Sequence, residues 1–92
     1  MNHDERQMMQ MREELLILEA LLQAMDRRGE VFQAIEDSED VDEAIQRVGQ
    51  LLGLGALESR AVLDLQARRL TRDQRRKSAF RADELRALLQ DG

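Results

Sequence analysis

Apolar residues recur in steps of three and four along the first third of the chain: Met8, Met11, Leu15, Leu18, Leu22, Met25, Gly29 and Phe32. This rhythm is that of a coiled-coil seam, in which a 3.5-residue repeat keeps one stripe turned toward a partner helix. Leu16, Ala20, Leu21, Ala24, Val31 and Ile35 widen the stripe over part of its length. The pattern predicts one helix from about residue 6 to 36, roughly 45 Å long at 1.5 Å per residue. A frayed tail over residues 1–6 would precede it. Such a helix cannot bury its stripe alone, so the remaining chain or a second copy must cover it.

The rest of the sequence also reads as helix. There is no proline and no cysteine, and Phe32 and Phe80 are the sole aromatics, so the core must come from Leu, Met, Val, Ile and Ala. Charged residues make up 36% of the chain, which suits long solvated helix faces. Glu36-Asp37-Ser38-Glu39 interrupts the first pattern. Asp40 then stands as an N-cap with Glu43 at capping-box spacing, followed by an apolar face of Val41, Ile45, Val48 and Leu52. Gly53 is placed to end this second helix in the left-handed conformation. A third helix over about 56–69 carries Leu57, Ala61 and Leu65 on one face with Val62 beside them. Thr71, with Gln74 three residues on, marks the start of a fourth helix running to about Leu89. The expected fold is all-α: an antiparallel helical hairpin, or coiled coil, with a small two-helix knob, in one domain over residues 1–92. Its hairpin core is assigned to Leu18, Leu22, Met25, Phe32, Ile35, Phe80, Leu85 and Leu88.

Charge is unevenly spread. Net charge is −5, yet Glu13–Glu58 holds twelve acids and three bases, while Arg60–Arg81 holds eight bases and two acids. The two halves could fold onto each other, pair between copies, or serve different partners. Without cysteine there is no disulfide and no thiolate metal site. The polar N-terminus lacks the pattern of a secretory signal, and the apolar runs are too short for a membrane span. A bacterial-type cytoplasm is the expected compartment, with no membrane partner. His3, the single histidine, lies in the polar tail, and the acids from Glu36 to Glu43 lack the spacing of a calcium loop. No metal, cofactor, small-molecule substrate or catalytic residue is expected.

Several segments taken in order resemble one known family. Ser59-Arg60-Ala61-Val62-Leu63-Asp64-Leu65-Gln66-Ala67-Arg68-Arg69-Leu70-Thr71 is similar to the stretch A-x-A-I-L-D-M-x-L-x-R-L-T of gyrase A and its counterpart in bacterial topoisomerase IV. Leu21-Leu22-Gln23-Ala24-Met25-Asp26, with Glu30-Val31 and Ile35, resembles that family's L-x-x-A-L-D-x-x-D-E-V-I. Ser38 to Ala44, followed by Leu51-Leu52, matches in spacing and residue type. The resemblance covers about residues 12–78 and implies a coiled coil capped by a helical knob. In the family, two knobs meet to form an exit gate for transported DNA. It therefore implies a fold and a dimer, but not strand passage, because a chain without tyrosine lacks the family's DNA-cleaving residue. Ala67 and Asp73 stand where the family usually has Leu, so the geometry of its dimer does not transfer directly.

A knob dimer would use Leu57, Ala61, Val62, Leu65 and Leu70. Arg68, Arg69, Arg72, Arg75, Arg76 and Lys77 could contact phosphates, although no aromatics interleave them and the protein as a whole is acidic. Met8, Met11 and Leu15 extend beyond the reach expected of the returning helix, and form a possible groove for another copy or a heterologous helix. The expected function is a stand-alone, non-catalytic dimerisation or adaptor protein. The alternatives are a modulator that binds gyrase A through its gate and a nucleic-acid-associated regulator.

Overall fold

The computed structural model describes residues 4–66 and 72–91, and these fold into five helices with no strand among them. They are α1 (Glu5–Asp26), α2 (Arg28–Glu36), α3 (Val41–Leu52), α4 (Ala56–Gln66) and α5 (Arg72–Asp91). Asp4 caps α1 by accepting the Gln7 N–H at 2.7 Å. Residues 5 and 6 are thus helical rather than part of a frayed tail. Asp4 followed three residues later by Gln7 is a capping-box spacing that marks this start in the sequence.

The single long helix expected over 6–36 is broken at Arg27, where φ is −125° and ψ is 41°. The first segment is therefore about 33 Å long at 1.5 Å per residue. The break falls at Arg27, two residues before the seam's Gly29. What holds it is a side chain. The Arg27 guanidinium donates to both carboxylate oxygens of Glu30, at 3.0 and 2.6 Å, and to the Leu51 carbonyl at 3.1 Å. One turn earlier the Gln23 amide donates to the Leu52 carbonyl at 3.0 Å. Two C-terminal carbonyls of α3, which have no partner within their own helix, are thereby satisfied by the α1–α2 junction.

Helix α3 follows its sequence signals. Asp40 accepts the Glu43 N–H at 2.8 Å, and the Glu43 carboxylate reaches back to the Glu39 N–H at 3.3 Å. Gly53 takes φ +70° and ψ 40°. The Leu54 N–H then returns to the Gly49 carbonyl at 2.9 Å, closing a Schellman-type end. α4 packs against α3 and α1, α2 packs against α3, and α5 packs along α1. The core is formed by Ala20, Ala24, Val31, Val48, Leu52 and Val62, with Leu21, Ala34, Ile35, Leu51, Leu54 and Leu63 packed around it.

Three ion pairs tie α5 to α1: Arg75 to Asp26, Arg81 to Glu14 and Arg86 to Glu19. Arg75, near the start of α5, meets Asp26, the last residue of α1, while Arg81 and Arg86 both meet acids further back along α1, so α5 returns along α1 in the antiparallel sense. Met25 and Leu85 are buried in this hairpin, while Leu18, Leu22 and Leu88 are half-buried. Ile35 packs on the knob core instead. The two aromatic assignments are corrected. Phe32 is 56% exposed and Phe80 is 72% exposed. After the break at Arg27 it is Val31 that points into the core, and Phe32 lies 100° further round the helix. Along α5, Ala82 and Leu85 face α1, and Phe80 is 140° away from Leu85.

Two glycines make opposite demands. A Cβ on Gly49 would lie 2.9 Å from the Leu54 carbonyl oxygen, whereas one on Gly29 would meet nothing within 4 Å. Gly49→Ala should lower stability by about 1–3 kcal/mol, as overpacking does. Gly29→Ala, inside α2, should raise it by about 0.5–1 kcal/mol through helix propensity. Urea denaturation of the two variants checks both signs.

Candidate association surface

The outer side of α4 is the candidate surface. Its N-terminus is closed from within: the Glu58 carboxylate accepts the Gly55 N–H at 2.9 Å, and Ser59 N–H donates to the Gly55 carbonyl at 3.0 Å. Leu57, Ala61 and Leu65 follow one another at four-residue spacing and share a side of the helix. Leu57 is 55% exposed, and Ala61 and Leu65 are half-buried. Asp64 is exposed beside the stripe. Val62, 100° away from Ala61, is fully enclosed among the core residues. It cannot meet a partner, and it is removed from the surface expected of the sequence. Leu70 lies outside the described residues.

Behind the stripe, Ser59 is fully buried and its hydroxyl has no hydrogen-bond partner among the described residues. It lies against Gly49, where an added Cβ would come within 3.1 Å of the hydroxyl oxygen. The position matches an Ala in the resembling family pattern.

The basic group is divided. Arg68 and Arg69 lie outside the described residues. Arg72, Arg75, Arg76 and Lys77 are exposed on α5. Arg75 is engaged with Asp26, and Lys77 with Asp73 at 3.2 Å. Internal pairing thus occupies part of the charge that could have met phosphates.

Met8, Met11 and Leu15 of the possible N-terminal groove are half-buried, and the pairing of Arg81 with Glu14 and of Arg86 with Glu19 brings α5 alongside the middle of α1. The exposed apolar residues of α1 are instead Met9 and Leu16.

Among the described residues, no group of acidic or histidine side chains is placed to hold a metal ion, and no helix is long and apolar enough to cross a membrane. Arg81 bridges the two helices: its guanidinium donates to both oxygens of Glu14 at 2.8 and 3.0 Å and also contacts Glu84. Hydrogen bonding from Arg81 holds the Glu14 carboxyl below its ordinary value of 4.5. Hydrogen bonding from Arg27 lowers Glu30 in the same direction.

A 75-residue stretch covering 82% of the chain is 40% identical to gyrase A, the DNA gyrase protein of that name, from Streptococcus pneumoniae, in both strain TIGR4 and strain R6. The chain is similar to a piece of gyrase A. It spans 9% of the length of these relatives. No family model and no solved structure matches it. The likeness to gyrase A accords with the resemblance carried by residues 12–78.

Two outcomes follow from this geometry. Ser59→Ala removes a buried, unpaired hydroxyl and should stabilise the fold by about 1 kcal/mol in thermal or urea unfolding. A carboxylate whose folded pKa is depressed contributes stability above its unfolded value and loses it as pH falls through the folded one. Amide exchange in α5 should therefore quicken as pH drops below about 4.5, after correction for intrinsic rates. Arg81→Ala should flatten that dependence.

Proposed function

We propose that the chain is a non-catalytic association module that pairs with a second copy through the outer face of α4. The observation that carries this reading is the stripe Leu57–Ala61–Leu65. It remains partly open after the knob has closed its own core, and it lies in the segment that resembles gyrase A. In that family the corresponding region forms a gate between two copies. A small chain also gains from sharing apolar surface, since a domain of this size buries only about 60–65% of what its unfolded form exposes. The module reads as a gate-like adaptor. The reactions of a whole gyrase need parts that a match to 9% of gyrase A does not supply.

A second reading follows from the same observation. A face that resembles one side of a gyrase A contact could receive gyrase A itself as a heterologous partner, which would make the chain a modulator of that enzyme. Nucleic-acid binding is less favoured, because Arg75 and Lys77 are already paired with Asp26 and Asp73.

Leu57→Asp separates association from folding. Leu57 lies outside the core, so the variant should keep its helical content and its unfolding midpoint nearly unchanged. A charge placed in an apolar contact should nevertheless dissociate the dimer. Sedimentation equilibrium at micromolar concentration should give about twice 10.6 kDa for the parent chain and 10.6 kDa for the variant. A parent chain that sediments as a monomer would refute the dimer. Co-sedimentation with purified gyrase A, lost in Leu57→Asp, would favour the second reading.

A further inference from the structure

Among the described elements, α5 touches α1 and nothing else. Its attachment consists of Ala82 and Leu85, which are buried, together with half-buried leucines near its end. The knob core of Ala20, Ala24, Val31, Val48, Leu52 and Val62 contains no residue of α5. That core stays complete if α5 leaves. Charge on the arm is segregated as well. In all three ion pairs between the helices, the acid (Glu14, Glu19 or Asp26) is on α1 and the arginine is on α5. Over its whole length α1 has five acids and two bases, and α5 has six bases and four acids. Two α1 seams, or two α5 faces, would bring like charges together, and this pattern favours an α1–α5 match. From Ala56 to Asp91 the sequence contains no glycine or proline, the residues that most strongly demand a chain reversal.

We infer that α5 is an exchangeable arm, and that in a pair of chains the α5 of each docks on the α1 seam of the other. The occupant of the seam is a second copy of this chain. An exchanged α5 presents the same Leu85 and the same three arginines, so each contact given up within a chain is regained between chains. Exchange of an identical element is a low-cost route to a dimer. This inference rests on the pairing proposed through the outer face of α4, which holds the two arms close together; sedimentation tests that pairing, and linkage between α1 and α5 tests the exchange.

The absence of native cysteine makes the test direct. Full-length Asp26→Cys chains are mixed with full-length Arg75→Cys chains, unfolded and refolded together, and treated with a short bis-maleimide. Exchange predicts that the main covalent dimer joins position 26 of one chain to position 75 of the other, in excess over either like-with-like product, as read by peptide mass spectrometry. A second measurement leaves the ion pair intact. Isotope-filtered NMR on a mixture of carbon-13-labelled and unlabelled parent chains should show contacts between α1 and α5 across chains. Like-with-like linkage alone, or α1–α5 contacts confined to one chain in a parent that sediments as a dimer, would each overturn the inference.

Discussion

The Arg27 guanidinium joins parts of the chain that sequence distance keeps apart. It holds both oxygens of Glu30 in the first turn of α2, and it closes the Leu51 carbonyl at the end of α3. Its own backbone leaves the helical region, so α2 departs from the line of α1. Were α1 and α2 one straight helix, Val31 would be carried along the axis of α1, away from Val48 and Leu52. The kink is what lets Val31 share a core with Ala20 and Ala24. The partly exposed Arg27–Glu30 ion pair adds little by itself. The contribution of Arg27 to the fold is geometric: it satisfies a helix end that would otherwise need water, and in doing so fixes where α3 sits.

With that junction in place, α1 has two separate duties. Toward the knob it presents Ala20 and Ala24, small residues that allow close approach, and both are enclosed. Toward α5 it presents Met25, Leu18, Leu22 and the residues before them, with Glu14, Glu19 and Asp26 along the flanks. The first face is apolar and tightly packed. The second is a narrow seam bordered by exposed ion pairs, which solvent screening leaves weak. The knob is therefore the more self-sufficient half, and the arm depends on a single contact.

The start and end of α3 were legible in the sequence because those signals are local. Asp40 with Glu43, and Gly53 at the end of α3, act within a few residues of themselves. The break at Arg27 was hidden because its cause is distant: the carbonyls that hold the junction belong to residues 51 and 52. An unbroken three-four rhythm through Gly29 continues to read as one helix whether or not the backbone bends. The same error displaced Phe32, since a rhythm carried across a break assigns the wrong side of the following helix. Phe80 failed for another reason. Its size suggested a core role, but the neighbouring Ala82 and Leu85 define the line that meets α1. On α4, Leu57, Ala61 and Leu65 were grouped on one face by spacing alone. What spacing could not supply was which way the adjacent Val62 turned.

The placement of the stripe bears on why association and folding can be separated in so small a chain. On α4, Ser59 and Val62 are enclosed and Leu57 is open, so one helix serves the core and the surface with different residues. The enclosed side holds the buried Ser59 hydroxyl, which has no hydrogen-bond partner among the described residues, close to Gly49. A change at Leu57 removes little that the monomer uses, whereas a change at Val62 would empty part of the core. A partner that covers Leu57 and Ala61 would thus bury surface already arranged by the knob, without asking the knob to rearrange. Such preformed surfaces lose less conformational freedom on binding, which compensates in part for the small apolar area that a stripe of three residues can offer.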